Sequence, residues 1–516
     1  MTADQPSRAG AATDDVDGAA APTVTTGVRR RLASRVAVDA RALAALRIGL
    51  GAVVLVDLLL RSRHLRTFYT DAGVLPRATL GRLFPAYRAL SLHALGGDAA
   101  TQVALLLVAG VAATALAVGY RTRLATAVSL ALLVSLQARN PLVLNAGDVL
   151  LRRLLFWGLF LPLGRRWAVD ARRRDASDRD RSGRVATVAT AGLLCQVVLV
   201  YASNAAAKLS GTAWPTGRAV RLVFALEEFT VGVAPALRGH PTVLQALAFG
   251  WLGLVAVSWL LVALDGRART ALAGAFAAGH VGMALTLDLG VFPLVSLVAL
   301  VPFVDAGAWD RIERRIGAAE TSSAGGRPPV ADDAGLGPSP EDAAETTLLA
   351  RTRRVGLAAV LVGLLVWNAV AVGVVAPPGG APDVVEERSW DMFGHPPRAE
   401  SWYVANATTA EGTVTGAVAA AGPASPPPDG AGYPGARWRK YESRLRPDDD
   451  RLLAHLAGDV CRRWSGPNRT VRRVTVRRVV EPTDLGSAST RRTETLGRYD
   501  CEAGREAGER AGVGEG

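Results

Sequence analysis

The sequence predicts an all-α polytopic membrane protein of about nine transmembrane helices with a small C-terminal extracytoplasmic α+β domain. Three observations lead there. Half of the 516 residues are apolar, and they gather in long runs with few charges. All but two of the 59 basic residues are arginine, and arginine clusters punctuate the apolar runs. Past residue 377 the long runs stop and turn residues, a helical stretch and an alternating strand-like run take over. A formal net charge of +13 fits either nucleic acid or a membrane surface. Arginines lying between apolar runs favour the lipid bilayer as partner and exclude nucleic acid.

The elements follow in order. Residues 1–37 carry no periodic apolar pattern and read as a disordered cytoplasmic tail. Residues 38–316 read as a transmembrane domain of about eight helices. The first span is Arg41–Leu60; the others lie at about 102–119, 124–139, 149–164, 187–207, 242–264, 270–287 and 289–305. Tight turns at Gly119–Arg123 and Leu287–Gly290 predict helical hairpins. Residues 317–350, rich in Gly, Pro, Ser, Asp and Glu, read as a disordered cytoplasmic linker. A final transmembrane helix within 351–376 leads to the extracytoplasmic domain, 377–516. There, 447–464 is helix-like and Val471–Val480 alternates as a strand does. Cys461 and Cys501 fall in this outer domain, where an oxidising compartment allows them to pair.

Sidedness follows from arginine placement. With the amino terminus inside, beside Arg29–Arg31, the inward loops carry Arg121 and Arg123, Arg165 to Arg184, Arg267 and Arg269, and Arg311 to Arg354. One outward loop, 61–101, breaks the rule with Arg61, Arg63, Arg66, Arg77, Arg82 and Arg88. An amphipathic helix lying at the interface accounts for part of that exception.

Lys208 ends the fifth span, within Asn204-Ala-Ala-Ala-Lys208-Leu-Ser-Gly211-Thr-Ala-Trp214. Where only charge is wanted, arginine serves; lysine offers an amine that burial can make neutral and able to accept a proton. The alternative is a lysine snorkelling to the outer headgroups. Asn145, Asp148 and Arg152 open the fourth span, on the same outer side as Lys208. Asp148 and Arg152, four apart, share a helix face and can pair, either to orient a substrate headgroup or as a structural ion pair. His280 lies mid-span among small residues, as a proton relay or as a hydrogen-bonding link between helices. The other histidines show no HxxxH or HExxH spacing, so no protein-built metal site is expected.

The membrane portion resembles the HTTM domain family, bacterial and archaeal relatives of vitamin K-dependent gamma-carboxylase. The resemblance rests on Phe68-Tyr69-Thr70-Asp71-Ala72-Gly73-Val74-Leu75-Pro76, Asn145-Ala-Gly-Asp148 and Arg166-Trp167-Ala168-Val169-Asp170. It rests also on Lys208 with Trp214 and Gly217, and on His280 followed by Phe292. Beyond the membrane, Trp390-Asp-Met-Phe393-Gly-His-Pro-Pro397 and Trp402-Tyr403-Val404 are similar to the outer domain of prokaryotic HTTM proteins. The resemblance implies that Lys208 is a base toward a reduced quinone, with His280 a neighbouring ligand or proton partner. Trp214, Asn145, Asp148 and Arg152 would line the substrate side. One departure, Gly147-Asp148 where the carboxylase carries a histidine after paired asparagines, separates carboxylation from quinol-directed proton transfer.

The sequence therefore leads to an integral membrane, quinol-linked enzyme, carboxylase-like or otherwise quinol-dependent, acting on a protein or lipid substrate at the outer face. The alternative is a non-enzymatic membrane scaffold that binds lipid or a partner.

Overall fold

The computed structural model describes residues 32–173, 183–321, 355–363, 392–420, 435–467, 469–483 and 490–501, with the single positions 352 and 366. The chain is mostly helical, with a four-stranded sheet near its C-terminal end. A short ribbon of β1 (Val38–Asp39) and β2 (Arg184–Val185) pairs antiparallel at one end of the bundle. The helices that build the bundle are α1 (Ala40–Ser62), α2 (Ala99–Val118), α3 (Thr122–Arg139), α4 (Ala146–Gly158), α5 (Val188–Ser210), α6 (Pro241–Ala256), α7 (Gly266–Thr286), α8 (Phe292–Leu300) and α9 (Ala306–Thr321).

By length and composition, α1, α2 and α5 can cross a membrane. Residues 292–303 and 306–315 make a fourth only if two arms bent by 104° form one span. The expected spans at 149–164 and 242–264 are shorter than they read. Helix α4 stops at Gly158, and α6 stops at Ala256 before a separate turn at Leu260–Ala263. The expected last span lies largely outside the described residues; only 355–363 and the single positions 352 and 366 are described, all helical. Helix α2 leaves Val103, Leu107 and Val111 46%, 66% and 71% exposed along one side, a stripe that an apolar surround would cover.

Two sequence features set the packing of the first helices. Asp39 caps α1, accepting the Arg41 backbone N–H at 2.8 Å. Gly51 lets α1 approach α2 closely: a Cβ there would sit 2.7 Å from the carbonyl oxygen of Ala113. The loop after α1 folds into short helices at Leu65–Tyr69, Arg77–Leu83 and Pro85–Leu90 and a 3-10 turn at Leu92–Ala94, not one amphipathic helix.

The C-terminal sheet runs β4 (Gly412–Ala417), β3 (Ala399–Thr409), β5 (Val471–Pro482) and β6 (Arg492–Asp500), antiparallel throughout. Helices α10 (Ala436–Glu442) and α11 (Asp450–Trp464) cover it, burying Trp438, Tyr441, Leu453, Leu456, Val460 and Trp464 against Val474 and Val476. A Cys461–Cys501 disulfide ties α11 to the residue after β6.

Candidate functional site

Two buried polar centres stand out. The first is built on α5, which Thr187 and Thr190 start with a reciprocal capping box. At its far end Lys208 is only 1% exposed. The side chain is thus covered by protein. The Nζ donates to the backbone carbonyl of Met392 at 2.9 Å and lies 4.0 Å from the centroid of the Trp214 ring. Trp214 in turn donates its indole N–H to the carbonyl of Phe393 at 2.6 Å. The Phe393 ring stacks edge-on against Phe229 at 5.1 Å. Met392 and Phe393 are both left-handed (φ 27° and 60°), and together they lay two successive carbonyls over the end of α5.

His280 is not part of this centre. Its Nε2 lies 2.8 Å from the Tyr201 hydroxyl, while the ring packs among Trp251 and Phe292. Tyr201 precedes Lys208 by seven residues on α5, roughly 10 Å along a helix axis. The hydrogen-bond partner that the structure gives His280 is Tyr201. The His280 Nδ1 is buried and has no hydrogen-bond partner among the described residues. No motif in the sequence singles out Tyr201, although its i, i+7 spacing from Lys208 puts both on one helix face.

The second centre corrects the expected Asp148–Arg152 pair. Asp148 turns away from Arg152 and lies between Arg61 (2.5 Å) and Arg437 of α10 (3.4 Å). Arg61 also pairs with Asp57 at 2.7 Å and donates to the Tyr69 hydroxyl at 2.7 Å; Arg437 pairs with Asp57 as well. Two arginines and two aspartates thus neutralise one another away from water. Arg152 donates instead to Gln137 Oε1 at 2.6 Å, and Gln137 reaches the Asp148 carbonyl at 3.1 Å. Asn145 plays a structural part. Its side chain accepts from the Gly147 and Asp148 N–H groups while Asp148 accepts from the Asn145 N–H, a capping box that starts α4. No local signal in the sequence marks Arg437 as a partner, because it is 289 residues from Asp148.

Around these centres the C-terminal domain is fastened at several points. Trp438 packs on Phe68 at 4.9 Å, and His455 Nε2 meets Thr79 Oγ1 at 2.7 Å. Arg439 donates to the Glu228 carbonyl at 2.7 Å and pairs with Asp288 at 2.9 Å. Glu400 accepts the Glu228 N–H at 3.1 Å. Burial, with Glu228 and Glu227 nearby, pushes the Glu400 carboxyl up to about 7. Burial likewise pushes Glu228 up to about 7 against the opposing charge of Arg439.

Among the described residues no three His, Cys, Asp or Glu side chains gather to hold a metal. At Lys208 the two N–H donors, Nζ and the Trp214 indole, are both taken by backbone carbonyls of Met392 and Phe393 beside the Trp214 ring face.

In comparison with known proteins, the family model described as the HTTM domain matches residues 36–309, more than half of the chain. No curated protein and no solved structure matches it.

Proposed function

The chain belongs to the HTTM domain family, and from that premise we propose that it is a multi-pass cell-membrane enzyme, related to the gamma-carboxylase, in which Lys208 acts as general base toward a reduced quinone. The observation that carries this reading is the burial of an amine, in a chain whose other cations are arginines apart from Lys440, against the Trp214 ring face and the Met392 carbonyl. An ionisable group at membrane depth is a functional candidate by default. An amine, unlike a guanidinium, can give up its proton and take another. A bound quinol would supply an acidic hydroxyl and reducing equivalents. Lys208 would hold the proton at Nζ, Trp214 would fix the amine by its ring face, and the covering segment would keep water away. The Tyr201–His280 pair would order the helix interior below the amine.

The topology proposed with it is nine spans, an inside amino terminus and an outside C-terminal domain. The arginine distribution supports it, as does the Cys461–Cys501 disulfide, which persists in oxidising compartments. The test is aerobic oxidation of an added naphthohydroquinone by the purified protein, with mass spectrometry of co-purifying ligands. Lys208→Arg should lower the rate by about 10²–10⁴, the usual contribution of a positioned base. Retained activity in Lys208→Arg refutes the base.

One observation favours a second reading, a non-enzymatic scaffold binding lipid or a partner. Lys208 and Trp214 both direct donors to Met392 and Phe393, so the pair also works as a clamp on the outer domain. On that reading Lys208→Ala increases protease access at 392–395 and no quinone co-purifies.

A further inference from the structure

At the end of the bundle opposite Lys208, two arginines converge on a stretch of backbone that itself carries a third, Arg35. Arg184 of β2 donates to the carbonyls of Ser34 and Ala37 at 3.0 and 3.2 Å. Arg269, near the start of α7, donates through Nη1 to the carbonyl of Arg35 at 3.2 Å. Arg35 itself pairs with Asp265 at 3.0 Å. Arg184 and Arg35 present like charge to Arg269, set against the single opposite charge of Asp265.

Arg269 is 4% exposed and its guanidinium lies 5.0 Å from the centroid of the Phe303 ring. Its Nε and Nη2 are buried and have no hydrogen-bond partner among the described residues. Burying N–H donors of a charged group unanswered is costly. The neighbouring acids are already engaged: Asp39, Asp310 and Glu313 by Arg41, and Asp305 by Thr270. Asp265 occupies the cap position of α7 but makes no side-chain cap bond, so the first-turn N–H groups of this helix add to the local positive field. Three cations, one acid and an uncapped helix start leave an unbalanced positive site. Its rim is open, with the Arg35 and Asp265 side chains 39% and 70% exposed.

We infer that Arg35, Arg184 and Arg269 form a binding site for a phosphate-bearing anion, between the 34–37 segment and the start of α7. Phosphate matches this set because its several acceptor oxygens answer guanidinium forks and a helix N-terminus together. Two sources share that chemistry, an anionic phospholipid headgroup and a free phosphate. The site lies beside the segments proposed to face the cytoplasm, where anionic headgroups are concentrated.

The test titrates the full-length chain in detergent at constant ionic strength, following its unfolding midpoint. The probes are short-chain phosphatidylglycerol, short-chain phosphatidylcholine and inorganic phosphate. Phosphatidylglycerol should raise the midpoint saturably, and Arg269→Gln should weaken its apparent affinity about tenfold or more, as loss of a charge-assisted bond does. Arg184→Gln, a change at an exposed position, should weaken it in the same direction, so a folding defect in Arg269→Gln does not decide the result. A response to phosphatidylglycerol alone identifies a lipid headgroup as the source; an equal response to inorganic phosphate identifies free phosphate. Equal responses in wild type and both variants overturn the site. So does silence toward both phosphate probes, or a phosphatidylcholine response as large as that to phosphatidylglycerol.

Discussion

Asp148 shows how one side chain can be placed correctly on a helix face and still be given the wrong partner. Its spacing to Arg152 is sound helical geometry, but α4 begins at Ala146, and the capping box with Asn145 turns the carboxylate toward Arg61 and Arg437. Breaking this cluster leaves an uncompensated buried charge. Asp148→Asn should therefore cost about 3–5 kcal/mol of stability, read as a lowered unfolding midpoint in detergent. Arg152→Ala, which removes the bond to Gln137, should cost on the order of 1–2 kcal/mol. Equal losses would mean that Asp148 and Arg152 act together after all. Lys208 is legible from composition, because a lone membrane lysine among arginines is conspicuous. Its covering carbonyls are not, since backbone groups 184 residues away leave no trace in side-chain pattern.

The elements of the C-terminal domain obey local rules, and their boundaries follow them closely. Helix α11 and strand β5 fall where a helical stretch and an alternating run are expected, because amphipathic periods of 3.6 and 2 are written directly in residue order. The disulfide depends on which strand ends beside α11, and it closes a separation of 40 residues. Cys501→Ser should cost about 2–4 kcal/mol and release the β6 edge, seen as faster amide exchange across β5 and β6 with α10 unaffected. The contact of β3 with the Glu227–Phe229 turn is pH-sensitive. Glu400 and Glu228, with Glu227 and Arg439 beside them, titrate about 7 when docked and near 4.5 when exposed. A raised carboxyl binds its proton more tightly in the folded state, so the stabilisation is full below about 4.5 and fades as pH climbs through 7. The unfolding midpoint should fall between about pH 5 and 8, and Glu400→Gln should flatten part of that slope. An unchanged slope in the variant would assign the dependence elsewhere.

Across the entire chain, the C-terminal domain is held by groups that reach into the helical bundle: Arg437 into the aspartates, Arg439 onto Asp288, and the 392–393 carbonyls onto Lys208 and Trp214. An Arg437→Ala chain should keep the Cys461–Cys501 domain folded yet expose 392–395 to protease, since the tie lost is between domains. The proposed sidedness has its own check. An alkaline phosphatase reporter fused after residue 516 should be active, and one inserted in 322–350 should be inactive.

Residue order is enough to specify the class of molecule, the family, the two amphipathic elements of the C-terminal domain and the identity of the buried amine. These depend on composition, local period and short motifs, which survive in one dimension. Packing in three dimensions was needed to show that Lys208 is covered by protein, that His280 partners Tyr201, and that Asp148 belongs with Arg61 and Arg437. It also shortened the expected spans at 149–164 and 242–264 and bent the chain by 104° between 292–303 and 306–315. The reason for the changed partners is common to all of them: inside a bundle, a buried polar group takes whichever partner the packing brings within reach, and that partner is set by the meeting of distant segments.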